Sequence, residues 1–187
     1  DLKCLSVHIG SQILNYKPYE KMLRVVDRII HKINHKFEFI DLGGGMGISY
    51  KYEDKKLNYS KYSEIIKKFL KKHKSKIIFE PGRSIIGDTG TLISKIIYIK
   101  KNDLKNFIIL DAAMNDLMRP ALYGAHHQIL PSTKSKRKSN KTYEFVGPIC
   151  ESTDKFNTLK NFQELKEKDL ITICDVGAYG MSLSSNY

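Results

Sequence analysis

Apolar residues recur at helical spacing from Pro18 to Asn34, where Tyr19, Met22, Leu23, Val26, Ile29, Ile30 and Ile33 share one face and Lys21, Arg24, Asp27 and Arg28 lie outside it. Short β-rich runs flank this stretch, Cys4 to Ile9 before it and Phe37 to Leu42 after it. The same order returns downstream. Tyr62, Ile65, Ile66 and Phe69 form a helical stripe within Tyr59 to Lys72, followed by the apolar run Ile77-Ile78-Phe79. Strands alternating with helices predict an α/β arrangement with a parallel sheet.

Beyond Gly90 the periodicity changes. Thr91 to Lys100, Phe107 to Leu110, Tyr143 to Val146 and Leu170 to Cys174 are β-rich and separated by turns, without helices of comparable length. The expected organisation is therefore an α/β domain over residues 1–88 and a β domain over 89–187, with the boundary near Gly87 to Gly90. Lys134 to Lys141 (KSKRKSNK) is the one low-complexity stretch and is expected to be a mobile surface loop.

Composition narrows the class. With 187 residues and 41% hydrophobic content the chain can bury a sizeable core. No apolar run reaches the roughly 18–20 residues that span a bilayer, and the opening residues do not resemble a signal peptide, so a soluble, cytoplasmic protein without a membrane partner is expected. Cys4, Cys150 and Cys174 are an odd set without a Cys-x-x-Cys pair, which argues against a disulfide framework and a zinc site. The net charge of +12 would suit nucleic acid. However, the lysines are dispersed and lack interleaved aromatics, so solvated surface is the expected reading and no nucleic-acid partner is assigned.

The ends of the strands carry the candidate chemistry: His8-Ile9-Gly10-Ser11-Gln12, Asp41-Leu42-Gly43-Gly44-Gly45-Met46-Gly47 and Glu80-Pro81-Gly82-Arg83-Ser84. In an α/β barrel the carboxyl ends of the strands form the active face, which would bring these clusters together. Each has a structural alternative. The glycines also serve to turn a chain, His8 suits a hydrogen-bonded structural histidine, and Glu80 suits an ion pair. Dinucleotide and P-loop readings fail on residue chemistry. The required last glycine of the first is Ile48 or Tyr50, and Asp88 stands where the second needs lysine. A phosphate held by backbone N–H groups, with Arg83 supplying charge, fits better. An imidazole to stack, a carboxylate for a ring N–H and glycines for a phosphate together describe a site for pyridoxal phosphate.

HIGSQ, DLGGGMGI, EPGRSIIGDTGTL, DAAMNDLMRPALYGAHH, VGPICEST and DVGAYGMSLSSNY occur in an order and spacing that resembles the diaminopimelate decarboxylases, over nearly the whole chain. That resemblance implies the late strands of a (β/α)8 TIM barrel followed by a sandwich- or barrel-like β domain, pyridoxal phosphate as cofactor, and a homodimer with shared active sites. It implies decarboxylation of meso-2,6-diaminopimelate to L-lysine. Carried over by motif, His8 would face the cofactor ring, while Ser11, Gly43, Gly44 and Gly45 would approach its phosphate. Glu80 would hold the pyridine nitrogen, and Gly82 and Arg83 would contact phosphate or substrate. Arg119 and Tyr123 match substrate-carboxylate positions, for which the planar guanidinium fork is suited; a surface ion pair and a packed ring are the structural alternatives. Cys150 matches a proton donor and Glu151 a substrate contact, both delivered across the dimer interface. Tyr179 matches a residue touching phosphate and substrate. Cys4 and Cys174, lying in β runs, are expected to be inert buried thiols.

Met46, Ala113 and Thr153 depart from the residues frequent in that family, and none carries proposed chemistry. The cofactor-bearing lysine of the family lies upstream of HIGSQ, and seven residues precede His8 here. The chain is thus expected to be a fragment without that lysine, missing the end of its β domain as well, and inactive or poorly soluble alone. Sibling decarboxylases acting on ornithine, arginine or a carboxylated polyamine share the glycine loop, the glutamate and the GAYG tyrosine. The segment Arg119 to Tyr123 and Glu151 carry the choice of substrate. A non-catalytic remnant is the alternative from a different class.

Overall fold

A computed structural model describes residues 2–135 and 137–187. It divides into two compact units, Asp1–Ile85 and Ile86–Tyr187.

The first unit is a parallel sheet in the order β1 (Cys4–Ser6), β2 (Phe39–Asp41), β3 (Lys76–Ile78), with Cys4 opposite Phe39 and Phe39 opposite Lys76. Helix α1 (Lys17–Ile33) joins β1 to β2, and α2 (Tyr59–His73) joins β2 to β3. Both helices have local start and stop signals. Pro18 opens α1 and left-handed Asn34 closes it; the Asn58 side chain accepts from Lys61 N–H at the start of α2, and left-handed Lys74 ends it. Lys71, Lys72 and His73 complement the negative end of the α2 dipole.

Tyr19, Met22, Leu23 and Val26 of α1 pack with Ile40 and Leu42 and with Tyr62, Ile66 and Phe69 of α2. Ile29 and Ile33, expected on the buried stripe, are exposed instead. A 17-residue helix runs about 25 Å while three-residue strands cover about 10 Å, so its second half outruns the sheet. The Tyr62 hydroxyl is buried without a hydrogen-bond partner among the described residues, and burial pushes its phenol up to about 12.

The second unit follows the short helix α3 (Arg83–Ile86) and is a six-stranded mixed sheet. Its strands are β4 (Leu92–Lys101), β5 (Lys105–Leu110), β6 (Ile129–Pro131), β7 (Thr142–Val146), β8 (Lys155–Leu159) and β9 (Leu170–Ile173), in the order β6-β9-β4-β5-β7-β8. All pairs are antiparallel except β5 with β7, between which lie helix α4 (Arg119–Tyr123) and β6. Alternate residues Ile96, Ile108, Leu110, Tyr143, Phe145, Ile171 and Ile173 form its core. Strands β6 and β8 escaped the sequence reading, β6 because three residues show no period and β8 because KFNTL has only two apolar residues, three apart, and so no alternation.

Within and beside the stretch expected as a mobile loop, Lys134 to Lys141, several described residues make backbone contacts with the segment before β9. Gln163 Nε2 donates to the Thr133 carbonyl at 2.7 Å, Ser139 N donates to Phe162 O at 2.8 Å, and Lys138 bridges to Gln163. Lys136 lies outside the described residues. Cys4 is exposed and Cys174 half-buried, so neither is the fully buried thiol expected. Among the described residues no helix is long and apolar enough to cross a membrane.

Candidate functional site

Parallel pairing aligns the carboxyl ends of β1, β2 and β3, and each leads directly into one of the motif clusters. Glu80 N–H donates to the Gly43 carbonyl at 2.9 Å and Leu42 N–H to the Ile78 carbonyl at 3.0 Å, so the third cluster continues the sheet against the second. Gly44 N–H reaches His8 Nδ1 at 3.4 Å, and Arg83 Nη2 donates to Ser11 Oγ at 3.1 Å. His8, Ser11, Gly43, Gly44, Gly45, Glu80 and Arg83 are thus brought together in the first unit.

The glycines are needed for this approach. A Cβ on Gly44 would sit 2.2 Å from the Glu80 carbonyl oxygen, and one on Gly45 would sit 2.3 Å from that of Gly10. Gly43 and Gly45 also take left-handed backbone conformations, with φ of 65° and 89°. No side-chain-bearing residue fits these positions without displacing backbone.

Sequence reasoning missed the residues that brace this loop. Gln12 Nε2 donates to the Ile48 carbonyl at 2.6 Å while Ile48 N–H donates to Gln12 Oε1 at 3.3 Å, and Tyr19 Oη donates to the Gly44 carbonyl at 3.2 Å. Burial raises the Tyr19 phenol, which keeps it a donor. Asp41 Oδ1 accepts from Gly43 N–H at 2.8 Å. Tyr50 accepts from Arg83 Nη1 at 2.6 Å and orients the guanidinium. The available signal for Gln12 was its place inside HIGSQ; Tyr19 read as part of a helix's apolar face, and Tyr50 carried no signal beyond breaking the dinucleotide pattern.

The second unit carries the remaining candidates. Arg119 opens α4 and is buried at 6% exposure, with Nη1 donating to His127 Nε2 at 2.9 Å; Tyr123, at the other end of α4, is exposed. Cys150 and Glu151 are exposed on the turn after β7. Asp154 organises that turn. Its carboxylate accepts from Met114 N–H at 2.7 Å and Ile149 N–H at 2.8 Å, while its own carbonyl accepts from Gly147 N–H. Desolvation raises the Asp154 carboxyl above the ordinary value despite those donors. Tyr187 donates to Glu151. Tyr179 follows β9 with φ of 59°, a left-handed conformation that bulky residues rarely take and that clusters at functional sites.

A family model described as pyridoxal-dependent decarboxylase, C-terminal sheet domain, matches residues 16–177. The chain belongs to that family. Diaminopimelate decarboxylase of Aquifex aeolicus is 39% identical over 96% of this chain and 43% of its own length, and that of Zymomonas mobilis is 42% identical over 98% and 44%. The crystal structure of diaminopimelate decarboxylase from Helicobacter pylori complexed with L-lysine is 40% identical, with a TM-score of 0.87 over 98% of this chain and 46% of that one. The chain therefore spans under half the length of the curated relatives it matches.

The donor set fits the cofactor of a pyridoxal-dependent decarboxylase. Close-packed glycines let backbone N–H groups approach a phosphate, Ser11 and Arg83 add a hydroxyl and a fixed cation, and Glu80 and His8 project exposed side chains from the neighbouring strand ends.

Proposed function

We propose that this chain is the carboxyl-terminal part of a pyridoxal-phosphate-dependent enzyme that decarboxylates meso-2,6-diaminopimelate to L-lysine and carbon dioxide. The observation that carries this reading is the convergence of His8, Ser11, the glycine loop, Glu80 and Arg83 at the ends of three parallel strands. The choice of substrate follows the relatives, which are about 40% identical across nearly the whole chain and named for diaminopimelate. Residues 1–88 supply the late strands of a (β/α)8 barrel and 89–187 its β domain, in a cytoplasmic homodimer.

Bound pyridoxal phosphate supplies an electron sink for the pair left at Cα when the carboxylate departs. Glu80 would keep a proton on the pyridine nitrogen, and His8 would face the ring. Ser11, Gly43, Gly44, Gly45 and Gly82 would hold the phosphate, Arg83 would contact phosphate or substrate, and Tyr179 would serve both from the second unit. Arg119 and Tyr123 grip the distal carboxylate and Glu151 the distal ammonium group, so the amino-acid end that is not cleaved fixes orientation. Cys150 Sγ holds the proton that returns to Cα.

The test is carbon dioxide release by the full-length protein from meso-diaminopimelate, L-ornithine and L-arginine at equal concentrations. Turnover of meso-diaminopimelate at least a hundredfold above the others, about 2.7 kcal/mol of discrimination, is expected. A preference for ornithine or arginine overturns the substrate assignment.

A further inference from the structure

We propose that His127 is a positioning residue for substrate recognition: it holds the Arg119 guanidinium in the orientation that meets the distal carboxylate. The inference rests on the reading of Arg119 as the carboxylate ligand.

His127 is 0% exposed, and both ring nitrogens are engaged. Nε2 lies 2.9 Å from Arg119 Nη1, and Nδ1 lies 2.9 Å from the Cys174 carbonyl oxygen. A guanidinium only donates, so Nε2 accepts; a carbonyl only accepts, so Nδ1 carries the hydrogen. The two partners together select the neutral ring and a single tautomer. A neutral acceptor orients a guanidinium without neutralising it, as a carboxylate in the same place would.

The anchor is itself braced. Asn157 Nδ2 on β8 donates to the His127 carbonyl at 2.9 Å, and Cys174 N–H donates to the Gln128 carbonyl at 2.8 Å. The ring therefore ties the start of α4 to the end of β9, from which the chain runs on to Tyr179.

The test uses the full-length protein and meso-diaminopimelate. His127→Asn keeps an amide donor near the Cys174 carbonyl and removes the acceptor facing Arg119, whereas His127→Gln places an amide oxygen near the Nε2 position and so keeps an acceptor facing Arg119. His127→Asn should raise KM about tenfold, the scale of one hydrogen bond to a charged group, with kcat within about threefold of wild type. His127→Gln should restore KM to within about threefold of wild type. Arg119→Met should raise KM at least as much, and the double variant Arg119→Met/His127→Asn should be no worse than Arg119→Met alone. Multiplying effects in the double variant, or an unchanged KM in His127→Asn, overturn the role of His127. An unchanged KM in Arg119→Met overturns the reading of Arg119 and the inference with it. Nitrogen-15 shifts of the His127 ring in the wild-type protein provide a check independent of whether variants fold. A neutral ring with hydrogen on Nδ1 is expected, and a doubly protonated or Nε2–H ring overturns the proposal.

Discussion

Replacing Gly44 with alanine puts one methyl group where the structure has no room. The new Cβ would lie 2.2 Å from the Glu80 carbonyl oxygen and 3.1 Å from its carbonyl carbon. Relief to ordinary carbon–oxygen contact requires about 1 Å of movement. The obstacle is backbone rather than a flexible side-chain end, and Glu80 is held by its N–H bond to Gly43. Overpacking of this kind costs about 1–3 kcal/mol of stability. In the proposed site, where the glycine loop meets the phosphate, a shift of about 1 Å also forfeits a charge-assisted hydrogen bond, so pyridoxal phosphate affinity should fall about tenfold or more. The assay is equilibrium titration of the full-length apoenzyme with pyridoxal phosphate, beside a thermal melt of each variant. Gly82→Ala is the stability control, because a Cβ there would have nothing within 4 Å and its melt should stay within about 0.5 kcal/mol of wild type. Wild-type melting and cofactor affinity in Gly44→Ala would refute the argument that close backbone approach is what the glycine provides.

Two further outcomes follow from buried and tethered carboxylates. Asp154→Ala leaves the buried Met114 N–H and the half-buried Ile149 N–H unpaired and should cost about 2–5 kcal/mol in denaturant titration, with Asp154→Asn nearer 1–3 kcal/mol. Because desolvation raises the folded Asp154 value above its unfolded value of 3.8, acidification through the folded value should improve wild type relative to Asp154→Asn; a gap that narrows instead contradicts this. Asp27 receives Lys72 Nζ at 2.7 Å and His73 Nε2 at 2.7 Å, tying α1 to α2, and the Lys72 hydrogen bond is the largest influence lowering its carboxyl. With Lys72 half exposed, Asp27→Asn should cost about 0.5–1 kcal/mol at pH 7. That contribution is present above the unfolded value of 3.8 and is lost as pH falls through the lowered folded value, so urea midpoints of the two proteins should converge in acid.

The α/β half was largely legible because its signals are local. Helical stripes such as Tyr19-Met22-Leu23-Val26 and caps such as Asn58 act within a few residues, and the motif clusters HIGSQ, LGGGMG and EPGR stand next to the strands that carry them. The fate of Ile29 and Ile33 was not legible, since periodicity sets a face but not the length of sheet beneath it. Nor was the pairing of Ser139 and Lys138 with residues near Gln163, because a lysine-rich run reads as solvated wherever its backbone partners lie far along the chain.

Residue chemistry by itself determined which side chains are suited to phosphate, ring nitrogen and carboxylate, because those capacities belong to the side chain wherever it sits. Only tertiary structure decided which residues brace them. Gln12 on Ile48, Tyr50 on Arg83, Asp154 beneath the Cys150 turn and His127 behind Arg119 are pairings that no period reveals, even where both partners stand in the motifs. Their roles come from burial, which makes each hydrogen bond costly to lose and its geometry single-valued.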